Sequence, residues 1–89
     1  MQNTIHAYDA GSVDVTSSGV MVLLEMEIRQ LLIYPTVDAS VTLNDGTTKE
    51  IFLPKGMWTP IAISRDFLCS NFVVTSEEAG KSHWQGWVV

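Results

Sequence analysis

At 89 residues the chain is too short for two ordinary domains, and a domain of this size hides only about two-thirds of the surface its unfolded chain exposes, which leaves a thin stability margin. Apolar residues make up 46% and charged residues 17%, too apolar for a disordered segment, while the longest aliphatic run, Val20 to Leu24, stops at Glu25 and is too short for a membrane span. Ten acidic residues against five dispersed basic ones (Arg29, Lys49, Lys55, Arg65, Lys81) give a net charge of −5, so a phosphate backbone is repelled and nucleic acid is not an expected partner. Cys69 is the single cysteine, which excludes an intramolecular disulfide, and a small unstapled domain favours self-association or docking. Residues 1–12 hold no Lys or Arg and no long apolar stretch, so they do not read as a secretory signal. Synthesis in a reducing cytoplasm is the expectation.

In chain order, residues 1–12 read as a docking arm or a first strand ahead of a single domain over 13–89. Val20, Val22, Leu24, Met26 and Ile28 then take every even position, with Glu25, Glu27 and Arg29 on odd ones. This period of two predicts a strand, against a helix-forming composition with Glu25 and Arg29 at i,i+4. Leu31 and Ile33, up to the turn at Tyr34-Pro35, make the next strand or its continuation.

Val37, Ala39, Val41 and Leu43 alternate with polar residues, and Ile51 and Leu53 do so beyond Asn44-Asp45-Gly46. A two-residue turn would set Val41 opposite Glu50. A three-residue turn instead pairs Val37 with Leu53 and Ala39 with Ile51, keeps the apolar face apolar, and puts Gly46 at positive φ.

Leu53-Pro54-Lys55-Gly56-Met57 carries a turn signal, and Trp58 to Ile63 follows as a strand. Pro60 cannot donate a ladder hydrogen bond, so that strand is an edge or is bulged. Ser64 to Leu68 reads as one helical turn or a bend. Phe72 to Thr75 and Trp84 to Val89 are the last two strands, parted by a polar loop from Ser76 to Ser82. The class expected is all-β: an antiparallel β-sandwich or small barrel of six to eight short strands.

No catalytic constellation is legible. There is no Gly-x-Ser-x-Gly elbow, no phosphate-cradling glycine loop, and no Asp/Asn ladder for calcium. His6 and His83 stand at opposite ends of the chain and, with one thiol, make a poor zinc set, so no metal or cofactor is expected. A Cys69, His83, Asp66 nucleophile set is outweighed by Cys69 following Phe67-Leu68, where it reads as a small buried hydrophobe. Glu77 and Glu78 read as a solvated loop tip.

Three tryptophans remain. Trp58, Trp84 and Trp87 suit either a sugar-stacking face or a core and an interface. Trp84 and Trp87 lie three positions apart, so a regular strand points them to opposite faces. The sequence ends on Trp87-Val88-Val89 without a polar cap, and such a strand in a soluble protein has to be covered by its sheet, a second subunit or a larger surface. Trp84, Trp87, Val88, Val89 and Trp58 are thus the expected interface residues.

From Arg29 to Arg65 a set of features resembles small virion proteins of tailed bacteriophages, of the head spike-base and decoration type. It comprises Arg29, Leu31 and Ile33; Val41-Thr42-Leu43-Asn44-Asp45-Gly46-Thr47-Thr48; Leu53-Pro54-Lys55-Gly56; and Pro60-Ile61-Ala62-Ile63-Ser64-Arg65. In those proteins a strand closing on a Gly-Thr hairpin leads to a second strand, a glycine turn and an apolar strand ending near Arg. Beyond Arg65, Phe67-Leu68-Cys69-Ser70-Asn71 departs from the Thr- and Gly-rich segment of that pattern.

The resemblance implies a non-enzymatic structural role in a virion, in capsid decoration, a spike base, or the head or neck. It implies homo-oligomers that contact other virion proteins such as capsid or spike and fibre proteins, with no nucleic-acid or membrane partner. The alternative from another class is a carbohydrate-binding β-sandwich using exposed tryptophans.

Overall fold

The computed structural model describes residues 7–46, 48–62 and 68–88. These form eight strands and no helix: β1 (Ala7–Val15), β2 (Val20–Ile28), β3 (Gln30–Pro35), β4 (Ala39–Leu43), β5 (Ile51–Leu53), β6 (Thr59–Ala62), β7 (Cys69–Thr75) and β8 (Gly80–Val88). The all-β antiparallel sandwich expected from the alternation is what forms, with sheet orders β1-β8-β3-β6 and β2-β7-β4-β5.

These orders have a simple origin. Pairing β1 with β8, β2 with β7, β3 with β6 and β4 with β5 makes one long antiparallel ribbon whose tip is the β4–β5 hairpin. Rolling that ribbon lays β3 against β8 and β4 against β7. The result is the eight-stranded jelly roll. Its shortest dimension, 19 Å, suits two sheets packed about 10 Å apart plus their outer side chains.

Alternation supplies the core. Val22 and Ile28 of β2, Leu31 and Ile33 of β3, Val41 and Leu43 of β4, Leu53, Ile61, Cys69, Phe72, Val74 and Trp84 all face inward and are buried. Residues 20–28 thus resolve as strand, with Val22 and Ile28 buried and Val20 and Leu24 packed against the core. The strand is not regular: Leu23 pairs with Asn71 and Ile28 with Cys69, so five steps along β2 are matched by two along β7. This bulge lets β7 change phase too, from Cys69 inward to Phe72 and Val74 inward.

The hairpin register differs from the sequence expectation. Ala39 pairs with Leu53 and Val41 with Ile51, a displacement of two residues that preserves the apolar face but leaves Val37 ahead of β4. Asn44, Asp45 and Gly46 have φ of 48°, 59° and 79°, so Gly46 is in the expected region but two further residues share it. That path carries the turn onto β7. Asn44 donates its side-chain amide to the Leu68 carbonyl (2.8 Å) and accepts from the Ser70 N–H (2.9 Å), while its own N–H reaches the Asn71 carbonyl (2.8 Å). The Asp45 N–H donates to the Asn71 side chain (2.7 Å), and the Thr48 hydroxyl accepts the Leu43 N–H that a tight hairpin would use (2.9 Å).

Three further placements bear on the reading, two of them within what the sequence offered. Residues 7–12 belong to β1, which runs without a break across position 12. The strand expected from Trp84 begins at Gly80, because Ser82 is an inward position paired with Val13 and Pro35. β6, which carries Pro60, is an edge strand paired only with β3. Ile63 to Phe67, with the expected bend and Asp66, lie outside the described residues, as do His6 and Val89.

Candidate functional site

The chemistry-bearing side chains of the described residues do not converge. None of their His, Cys, Asp and Glu side chains form a group of three or more able to hold a metal. Cys69 is fully buried and its thiol donates to the Asn71 carbonyl (3.3 Å); burial pushes its pKa from 9.0 to about 11. A neutral, inaccessible thiol is no nucleophile at ordinary pH. The surfaces able to act are the outer faces of the two sheets.

On sheet β1-β8-β3-β6, β8 turns Ser82, Trp84 and Gly86 inward and His83, Gln85 and Trp87 outward. Trp84 is 7% exposed, packs edge-on against Phe72 (5.8 Å, 81°), and lies over Gly11 of the neighbouring strand, where even a methyl group would be 3.1 Å from the indole. It is core, which removes it from the expected interface set. Trp87 is half-buried on the outer face, paired with Tyr8 and Gln30. Val88 pairs with Ala7 at the strand's end.

The uncapped C-terminal strand is covered by its own sheet, because β1 and β3 flank β8 on both sides. It is not an edge, so the strand-pairing motive for an interface there falls away.

Trp58, just before β6, is 43% exposed and belongs to a row the sequence did not reveal. Its ring stands 5.3 Å from Tyr34 at 52°, and Tyr34 stands 6.0 Å from His83 at 47°. Ser12 pairs with His83 and extends the row onto β1. The neighbouring row is Ala10, Gln85, Leu32 and Pro60, which holds no ionisable side chain. Charge enters at one end, where Lys81 and Asp14 neutralise each other in an exposed pair (2.8 Å). Such a pair adds little stability. Tyr34 and His83 each sit one step out of phase with buried neighbours, a signal for outward placement that says nothing of their meeting.

On sheet β2-β7-β4-β5 the outward positions from Met21 and Leu23 across to Phe52 are apolar or hydroxylic, with Glu27 exposed near the end of β2. Leu23 is 74% exposed and Met21 46%, beside Val73; Phe52 on β5 is 62% exposed; Thr42, Thr75 and Ser40 lie between. Near Phe52 a groove of about 460 Å³ opens over Ala39, Ser40 and Thr75, walled by Asp38, Glu50, Glu77 and Glu78. Leu23 and Phe52 were legible as outward from their phase against Val22 and Leu53.

Comparison of the chain with known protein families, curated proteins and solved structures finds no match to any of them.

Proposed function

We propose that the protein is a non-enzymatic structural component of a bacteriophage virion, a homo-oligomer acting through contacts with other virion proteins such as capsid or spike and fibre proteins. The observation that supports this most directly is the outer face of sheet β2-β7-β4-β5, where Leu23, Met21 and Phe52 stand exposed with no covering element among the described residues. Isolated exposed apolar residues need no explanation, but several on one face mark an interaction surface. The jelly-roll fold serves capsid proteins and lectins alike, so it does not choose between them.

Purified particles tested for the tagged chain, and for a Leu23→Ser, Phe52→Ser double variant shown to be folded by circular dichroism, check the reading. Wild-type incorporation lost in the variant supports it, and absence of the wild-type chain from particles overturns it.

A second reading rests on the other face. The Trp58–Tyr34–His83 row with Gln85 beside it offers stacking surface and amide groups to a neutral glycan, the combination a carbohydrate-binding module uses. Titration with neutral oligosaccharides, read by Trp58 fluorescence and repeated on Trp58→Ala, decides it.

A further inference from the structure

We propose that the outer face of sheet β2-β7-β4-β5 docks a different protein, one whose contact surface joins apolar side chains to Lys or Arg. This rests on the assembly reading above and adds the partner's chemistry. Leu23, Met21 and Val73 lie at one side of the face and Phe52 at the other, with only hydroxyl side chains between. Such a face is suited to an apolar contact.

The groove at its Phe52 side is lined by charge of a single sign. Asp38, Glu50, Glu77 and Glu78 wall the groove beside Phe52, and no Lys or Arg lines it. Their local engagements are slight: Asp38 accepts the Lys55 N–H (3.1 Å) and Glu50 accepts the Ser40 hydroxyl (3.3 Å). Among the described residues the one salt bridge is Lys81–Asp14, on the other sheet, so none of the four carboxylates is ion-paired.

Charge decides the occupant. A second copy docked on this face about a two-fold axis through the groove would set four carboxylates against four, and an axis along the strands at mid-face would set them against Leu23 and Met21 with no counter-charge; both arrangements are costly. Self-association therefore falls to other surfaces. Nucleic acid and anionic lipid are repelled for the same reason. A surface carrying apolar side chains together with Lys or Arg complements both Phe52 and the carboxylates, and the carboxylates speed its encounter.

The test uses the full ¹⁵N-labelled chain and two acetylated octapeptide probes, one alternating Lys and Leu, the other Glu and Leu. Only the Lys probe should shift the amides of Ser40, Phe52, Thr75 and Glu77, and its binding should weaken several-fold between roughly 50 and 300 mM salt. A Glu50→Gln, Glu77→Gln, Glu78→Gln variant, altered only at exposed positions, should bind about tenfold more weakly. Phe52→Ser should weaken binding but leave the salt dependence intact. Shifts confined to the other sheet, or undiminished binding by the triple variant, overturn the proposal.

Particle incorporation separates the two claims. If the wild-type chain enters particles and the triple variant enters equally well, the docking chemistry is wrong and the assembly reading stands. If the wild-type chain never enters particles, the assembly reading falls even where the Lys probe binds this face.

Discussion

Asn44→Ala tests whether the β4–β5 turn is held by β7. Asn44 occupies the left-handed region at φ 48° and bridges two backbone groups, donating to the Leu68 carbonyl (2.8 Å) and accepting from the Ser70 N–H (2.9 Å). Alanine removes both bonds. Each partly buried backbone group left without a partner costs about 1 kcal/mol, at the low end because water has some access. Holding alanine left-handed adds about 1 kcal/mol. The expected loss is thus about 3 kcal/mol, a large fraction of the roughly 5–13 kcal/mol available to a domain this size.

Asn44→Gly removes the bonds but not the backbone tolerance and should lose about 2 kcal/mol. Urea denaturation followed by tryptophan fluorescence measures all three proteins, with unchanged m-values expected. If Asn44→Ala lies within about 0.5 kcal/mol of wild type, the anchoring of this turn on β7 is wrong, and if glycine is as damaging as alanine, the left-handed backbone cost is wrong.

The Ser82 hydroxyl is wholly buried and has no hydrogen-bond partner among the described residues, so Ser82→Ala should hold or raise stability, by up to about 1 kcal/mol in urea denaturation. A methyl group at Gly80 would lie 2.8 Å from the Thr36 hydroxyl and 2.9 Å from both Val37 methyls. Gly80→Ala should therefore cost about 1–3 kcal/mol in the same assay. Cys69 should resist iodoacetamide in the folded state and react once unfolded, as mass spectrometry would show. Its raised pKa also has a sign. Below pH 9 the thiol is neutral in both states; above it the unfolded chain ionises first, so stability falls as pH climbs from about 9 to about 11, with a slope that Cys69→Ala should reduce.

Local structure was largely legible because period-two alternation follows directly from strand geometry. Residues 20–28, Ala39 to Leu43 and the opposite facing of Trp84 and Trp87 all came from that rule. Pro60 marked an edge because it lacks a donor. What failed was whatever depended on residues distant in sequence. The hairpin slipped by two because Asn44 and Asp45 bond to Leu68, Ser70 and Asn71, more than twenty positions away. β8 is central because the rolled ribbon brings β1 and β3 to its two sides, and no local pattern records rolling. The row of Trp58, Tyr34 and His83 joins three segments for the same reason.

A sandwich this small has one core, so every strand must also supply residues to an outside face. Here those two faces differ in kind. One carries a row of aromatic rings with amides, the other aliphatic side chains and Phe52 beside a groove of carboxylates, and they lie on opposite sides of a body whose shortest dimension is 19 Å. A glycan-binding module needs only the first. A component that joins two parts of a particle needs both, because a single contact can decorate but cannot bridge. Impairing each face separately therefore discriminates between the two readings more sharply than impairing either alone. Trp58→Ala should abolish function in a module and leave Leu23→Ser silent, whereas in a bridging component each should remove one contact and spare the other.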